Sequence, residues 1–274
     1  MKIVCAGDVG YDCYLPEKKY LPGGISYNVA IQAKALFPSS DIIQLVSVLG
    51  DDDIAVQLRR NLASKGIEQY IESLPGQSPV QDIRLDIDGI CRFENYQAGV
   101  LEGFRISESA KSIIRESDLL IVPWFDQITP LFDSVIRTPS KGLRVVDFAD
   151  IGEHKDIQRV TTNIARFDIA FLGLLPSDER FIRQIASLAD THDKLMIVTL
   201  ADHGSVAFDG GVQYHCAARK VTSVIDTTGA GDSFAAAFLA EYMYTKNIQQ
   251  AMQNGAELAA LTVARLGSTA VLSP

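Results

Sequence analysis

Asp226-Thr227-Thr228-Gly229-Ala230-Gly231-Asp232-Ser233-Phe234 is the stretch around which the rest of the chain is organised. A short apolar run, 221–225, precedes it, and a long apolar-periodic segment, 234–244, follows it. That spacing predicts a helix opening at this point. Two glycines flanking an alanine let the backbone pass close to a ligand, where a side chain would clash. The first N–H groups of a helix have no partner within it, and they stand at the positive end of its dipole. Together they form an anion site. Asp232 inside such a site repels a phosphate unless it has another task. That task is accepting a proton from an alcohol while the N–H groups hold the charge that develops on the phosphoryl group. A second reading is a tight turn with the aspartate as a helix cap. The stretch is not a P-loop, which needs Gly-Lys-Ser/Thr. Nor is it Gly-x-Gly-x-x-Gly, because Phe234 stands where the third glycine belongs.

The chain has 274 residues, enough for a large single-domain core. Its 47% hydrophobic and 22% charged residues are ordinary for a globular protein. A net charge of −9 argues against nucleic acid and anionic membrane as partners. It does not exclude an anionic substrate, because a local nest of N–H groups can override the global sign. Cys5, Cys13, Cys91 and Cys216 are scattered and the histidines lack zinc spacing, so free thiols in a reducing compartment are expected. The apolar run after Met1-Lys2 is short for a signal peptide and no run approaches a membrane span, which makes a cytoplasmic location the expectation.

Residues 2–6 read as a buried strand, with Asp8 and Asp12 beyond its end, where ligands sit in open parallel sheets. Gly23-Gly24 precede a second helix that carries Asn28, a donor and acceptor one turn in, suited to a polyhydroxylated ligand. An ordinary glycine-rich helix start with an exposed Asn28 fits equally. Residues 42–49 read as a strand, and Asp51-Asp52-Asp53 as the first turn of the helix after it. Residues 79–96 break the pattern. Ile83, Leu85 and Ile87 alternate with Arg84, Asp86 and Asp88, and Asp88-Gly89 signals a hairpin turn. A two-faced hairpin does not belong in a buried parallel sheet. It reads as a lid whose apolar face needs a partner, with residues 10–22 supplying a further strand. Strands at 119–122, 144–148, 169–172 and 195–200 then alternate with helices at 107–116, 128–137, 155–166 and 177–190. That order implies a mostly parallel sheet covered on both faces. Residues 204–208 and 212–216 read as a hairpin. The final helix, 248–266, carries Asn254, Gly255, Ala259 and Ala260, a small-residue face that can pack tightly or leave room for a flat ring.

Taken together these stretches resemble the PfkB, or ribokinase-like, carbohydrate kinase family. The residues that carry the resemblance are Gly23-Gly24 with Asn28 and Ala30, Gly50-Asp51-Asp52 with Leu58 and Gly66, and the Asp226–Phe234 stretch. The resemblance implies one α/β ribokinase-like kinase domain over 1–274, with a central, mostly parallel sheet, helices on both faces and a small β lid over about 10–22 and 79–96. It implies Asp232 as catalytic base and Gly229, Ala230 and Gly231 as an anion hole for the transferred phosphate. It implies sugar binding by Asp12, Gly23, Gly24, Asn28 and Arg92, and ATP contacts from Thr199, Gly204, Thr227, Gly229, Gly231 and Asn254. Mg²⁺ is the implied metal, with Glu179 as its residue. Lids of this kind often pair between subunits, which implies a homodimer. Arg92-Phe93-Glu94-Asn95-Tyr96, Val146-Asp147-Phe148-Ala149-Asp150 and 197–210 are similar to the branch of the family that phosphorylates fructosamines at the 6-hydroxyl. Charged residues that could hold the longer substrate are Arg84, Arg92, Glu94 and Asp150. The alternatives are kinases for a ketohexose, a pentose or 2-keto-3-deoxygluconate, or a catalytically silent sugar- or nucleotide-binding sensor. Three positions depart from the family pattern. No Asn precedes Glu179 as in Asn-x-x-Glu, Ala201 stands where Thr-x-Gly-x-x-Gly has its first glycine, and Ala55 replaces a helix glycine.

Overall fold

Ile3 and Cys5 on one side of β1 (Lys2–Ala6) are fully buried, and so are Val4 and Ala6 on the other. A strand buried on both faces must lie inside a sheet with cover on each side. The computed structural model describes residues 1–149 and 151–269 and shows that arrangement. The N-terminal part continues with β2 (Gly10–Leu15), β3 (Lys19–Gly23), α1 (Ile25–Leu36), β4 (Ile42–Leu49), α2 (Asp53–Ser64), β5 (Glu68–Ser73), β6 (Val80–Leu85) and β7 (Cys91–Gln97). Next come α3 (Glu108–Arg115), β8 (Leu119–Pro123), α4 (Thr129–Ile136), β9 (Leu143–Asp147), α5 (Ile151–His154) and α6 (Ile157–Thr161). The remainder is β10 (Ile169–Gly173), α7 (Glu179–His192), β11 (Leu195–Thr199), β12 (Ser205–Asp209), β13 (Val212–Cys216), α8 (Ala230–Thr245) and α9 (Ile248–Val263).

The described residues form a nine-stranded sheet in the order β13-β12-β11-β10-β9-β8-β1-β4-β5. It is parallel except for β11–β12 and β12–β13. From β1 the chain winds one way through β4 to β5, and from β8 the other way through β9 and β10 to β11. The reversal lies between β1 and β8, and ligands of open α/β sheets bind beyond the strand ends at such a switch point. Ile3 and Cys5 pack with α1, α2, α8 and α9, whereas Val4 and Ala6 pack with α3, α4, α6 and α7. Among the described residues no helix is long and apolar enough to cross a membrane.

The second sheet has the order β3-β2-β6-β7, so residues 10–23 supply two strands to it. It is fastened to the main body at two points. The turn between β6 and β7 lies on the segment before α8: Thr227 N–H donates to the Gly89 carbonyl, and Cys91 N–H donates to Thr227 Oγ1 at 2.9 Å. Tyr96 meets Phe125 edge-to-face with centroids 5.6 Å apart. The expectation of a homodimer rests on the apolar face of this hairpin. The chain itself covers part of that face, since Ile83 is fully buried, while Ile87, Ile90 and Phe93 stay exposed.

Several elements differ from the sequence reading. β5 escapes it because a half-exposed sheet edge, Glu68-Gln69-Tyr70-Ile71-Glu72-Ser73, carries little apolar signal. The helix expected over 155–166 is only α6 and a 3-10 turn at Ile164–Arg166. The Asp156 side chain accepts from Gln158 N–H and starts α6 late. The last helix ends at Val263, and the chain then turns back toward the start of α8.

Candidate active site

Asp232 is the third residue of α8, and two aromatic residues one and two turns from its start fix that helix. Phe234 and Phe238 both pack against Phe171 of β10, with centroids at 6.4 and 5.5 Å. Burying a side chain such as Phe238 completely contributes about 1.5–3 kcal/mol. Gly255 of α9 leaves the room that Phe234 needs, since a Cβ there would lie 2.9 Å from its ring. Gln32 of α1 donates to Ser233 Oγ at 3.0 Å, and Thr262 of α9 donates to the same oxygen at 2.8 Å. The start of α8 is therefore held by its neighbours as well as by its own backbone.

The two glycines of the stretch do different work. Gly229 adopts φ +73°, and a Cβ on it would lie 2.2 Å from the Ser268 carbonyl oxygen, so it is bound by its surroundings. Gly231 is helical, and a Cβ on it would meet nothing within 4 Å. The space in front of Gly231 is open, at a helix start where N–H groups point outward.

Asn28 Nδ2 donates to Asp232 Oδ2 at 2.7 Å. The amide is oriented by its other end, because Ser268 Oγ donates to Asn28 Oδ1 at 2.7 Å. Asp8, at the exit of β1, accepts from Ile25 N–H at 3.0 Å and from Ser26 N–H at 3.4 Å, which caps α1 and aims Asn28. Gly23 makes room for Asp12, since a Cβ there would lie 2.3 Å from that carboxyl group. Asp226 accepts from Tyr14 Oη at 2.7 Å, from Thr228 N–H at 2.8 Å and from Gly267 N–H at 2.8 Å. It ties the second sheet and the turn after α9 to the stretch before α8.

These groups surround a cavity of about 120 Å³ between the two sheets, at the switch point. Asp8, Asp12, Gly24, Asn28, Thr228, Gly229 and Asp232 line it, as do Gln81, Phe93, Tyr96, Phe125, Gln127 and Ala149. The Tyr96 hydroxyl is buried there without a hydrogen-bond partner. An unpaired buried hydroxyl facing a cavity is a binding group for a polar ligand.

Burial raises the Asp232 carboxyl well above the usual carboxylate range. The charges of Asp147, Asp8 and Asp12 add to the rise, and the Asn28 hydrogen bond opposes it. Burial also pushes Asp12 up to about 8, helped by Asp8 and Asp226. Asp12 holds a proton in the folded protein that the unfolded chain releases near pH 4. Folding stability from this source is therefore greatest in acid and is lost as the pH rises through about 8. Asp52, Asp118 and Asp178, whose hydrogen bonds hold them below the usual range, are ionised in both states above pH 5 and add no slope there. Without ligands, we expect the melting temperature to fall between pH 5 and pH 8 by roughly 5 °C or more. We expect Asp12→Asn to flatten the curve. Calorimetry decides it, and a wild-type melting temperature that is level or rising would mean that Asp12 titrates as an ordinary carboxylate.

Of the residues named from the sequence, Asp12, Gly24, Asn28, Gly229 and Asp232 line the cavity, and Gly23, Thr227, Ala230 and Gly231 are each next in the chain to a lining residue. The remaining named residues lie outside this cavity. Arg92 does not line the cavity, whereas its neighbour Phe93, on the other face of β7, stands at its rim. Arg84 and Glu94, beside it, pair with each other at 3.0 Å on the exposed side. Glu179 lies at the start of α7, 74% exposed and paired with Arg183, away from the cavity. Asn254 is engaged within the helices, donating to Glu241 and accepting from Gln250. Thr199 ends β11 and Gly204 follows it at φ +92°, both outside the cavity. Ala201, where the family pattern has glycine, adopts φ +51°, the left-handed region that glycine favours. Asp52 caps α2 and binds Ser78, as its place in a first turn predicts. Asp150 lies outside the described residues. Gln127, which lines the cavity, and Ser268, which holds Asn28, carry no mark in the sequence.

Residues 131–274 match the profile of the pfkB family carbohydrate kinases. The chain is 30% identical over 259 residues to the fructoselysine 6-kinase of Shigella flexneri, covering 94% of this chain and 95% of that one. It is 28% identical over 275 residues to the fructosamine kinase FrlD of Bacillus subtilis, covering 98% and 93%. The structure superposes on a Methanocaldococcus jannaschii nucleoside kinase, described as an archaeal member of the ribokinase family. The TM-score is 0.74 at 20% identity, with 97% and 93% of the two chains covered, so the two share the ribokinase fold. A buried carboxylate at the start of α8, open space before Gly231, a family match over residues 131–274 and 30% identity to a relative over 94% of the chain lead to one conclusion: the chain belongs to the pfkB family of carbohydrate kinases.

Proposed function

We propose that this kinase transfers the γ-phosphoryl group of ATP to the 6-hydroxyl of a fructosamine, with fructoselysine as the type substrate. The observation that carries the chemistry is the Asn28–Asp232 pair at the wall of the cavity, one residue beyond the open backbone of Gly231. The substrate class is supported by the fructoselysine and fructosamine kinases among the relatives.

In this reading Asp232 takes the proton from the attacking hydroxyl. An elevated proton affinity suits that task, because a base works best with a pKa nearer neutrality. Asn28 keeps the accepting oxygen in place, and the first-turn N–H groups of α8 face the phosphoryl oxygens as charge grows on them. Asp12, Gly24 and the Tyr96 hydroxyl bind the sugar. The second sheet, residues 10–23 and 80–97, acts as a lid that keeps water from competing with the hydroxyl. Mg²⁺ accompanies ATP in this chemistry and neutralises the phosphate charge when bound. Magnesium that arrives with phosphates asks for only one or two protein carboxylates. Asp147, whose charge acts on Asp232, fits that requirement; Glu179, exposed and paired with Arg183, does not.

The substrate is tested by a coupled ADP assay across fructoselysine, fructose, ribose and 2-keto-3-deoxygluconate. We expect kcat/KM for fructoselysine to exceed each of the others by at least about tenfold, since charged pocket groups left unpaired by a smaller sugar are penalised. A preference for one of the other three moves the protein to another branch of the family.

A further inference from the structure

A second cavity opens beside the first. It measures about 250 Å³ and shares Phe125 and Gln127 with the cavity that holds Asp232. Its remaining wall is Trp124, Asp126, Phe148, Ile151, Glu153, His154 and Arg159. These residues follow β8, which borders the switch point, and its neighbour β9, and belong to α5 and α6 beyond them. None is needed to position Asp232.

The wall has two kinds of surface. Trp124, Phe125, Phe148 and Ile151 form an apolar side. Facing it are charges of both signs. The Arg159 guanidinium lies 4.6 Å from the centre of the Trp124 ring and 3.0 Å from Asp126. His154 Nε2 is 3.8 Å from the same Asp126 carboxyl. Glu153 has no cation within ion-pair distance among the described residues. A phosphate extension would meet the carboxylates of Asp126 and Glu153. A plain alkyl tail would cover the apolar side and offer nothing to Glu153, or to the face of the Arg159 fork that Asp126 does not occupy. A chain of methylenes ending in both an ammonium and a carboxylate satisfies every group.

We propose that this second cavity holds the amino-acid end of a sugar–amino-acid conjugate. The inference rests on the fructosamine reading above and gives it a location. The sugar occupies the first cavity, with its reacting hydroxyl at Asp232. The linking methylenes run past Phe125 along Trp124 and Ile151. Arg159 takes the α-carboxylate with its planar fork, and stacking on Trp124 keeps that fork oriented. Glu153 and Asp126 accept from the α-ammonium. A free hexose reaches none of these groups, so the cavity is the specificity determinant between a fructosamine and a simple ketose.

Trp124 is the only tryptophan of the chain, so its fluorescence reports on this cavity without turnover. The experiment has two arms. In the first, wild type without nucleotide is titrated with fructoselysine and with fructose. We expect a change in Trp124 emission with fructoselysine only. In the second, kcat/KM is measured for both sugars with wild type, Arg159→Met and Glu153→Gln. A lost charge-assisted hydrogen bond is worth about tenfold to a hundredfold. We expect the fructoselysine-to-fructose ratio to narrow by about tenfold in Glu153→Gln and by up to about a hundredfold in Arg159→Met. Glu153 is exposed, so its variant carries the test if Arg159→Met folds poorly by circular dichroism. A wild type that prefers fructoselysine, with a silent Trp124 and unchanged ratios in the variants, overturns the proposal and leaves the fructosamine reading standing. A wild type with no preference for fructoselysine overturns that reading, and this proposal with it.

Discussion

Asp232→Asn is expected to lower kcat by on the order of 10²–10⁴, the usual cost of losing a general base. The substitution keeps the size of the side chain and can keep a hydrogen bond with Asn28, whose amide is oriented by Ser268. It removes only the proton-accepting oxygen. It also removes a buried carboxyl group from among Asp147, Asp8 and Asp12, which oppose its ionisation. Stability at neutral pH should therefore be equal or higher, a result that separates a catalytic role from a capping one. Initial rates with Mg·ATP, together with thermal melts at pH 7, measure both. Turnover within a factor of a few of wild type would make Asp232 a helix cap.

The second large effect is expected at Gly231. Valine there should abolish detectable transfer, a loss of at least about 10²–10³, because its side chain fills the space before the first-turn N–H groups. The fold should survive, since a Cβ at this helical position meets nothing in the protein. Gly229→Val is the contrasting variant: φ +73° and the Ser268 carbonyl at 2.2 Å make it damaging to the loop itself. Circular dichroism and melting curves for the pair should show Gly231→Val folded and Gly229→Val destabilised. An unfolded Gly231→Val would assign that glycine a structural role.

The parts legible in the sequence are those whose cause is local. The α/β alternation from 107 to 200 shows because buried strands such as β8 and β10 are uninterrupted apolar runs between amphipathic helices. The Gly-Ala-Gly-Asp stretch shows because close backbone approach and a helix start are written in adjacent residues. The 79–96 hairpin shows through its alternation and Asp88-Gly89, although Phe93 rather than Arg92 faces the cavity. What stayed hidden depends on distant partners. Ser268 orients Asn28 from 240 positions away, and Asp147 matters only because β9 lies next to β8 and near the start of α8. Tyr96 becomes a site residue by resting on Phe125. The motif that suggests Glu179 as a metal residue says nothing of its exposure or of its pairing with Arg183 one turn on. Ala201 shows the reverse case. The backbone there takes a left-handed conformation that glycine favours, although the residue is alanine.

The central claim is that Asp232 directs phosphoryl transfer to the 6-hydroxyl of a fructosamine. Phosphorus and carbon NMR of the products formed from fructoselysine and Mg·ATP tests it most directly. The account predicts ADP and fructoselysine 6-phosphate in equal amounts with wild type, and neither above background with Asp232→Asn. ADP without a sugar phosphate, a phosphate on another hydroxyl, or a folded wild type that binds the sugar and leaves ATP intact would contradict it.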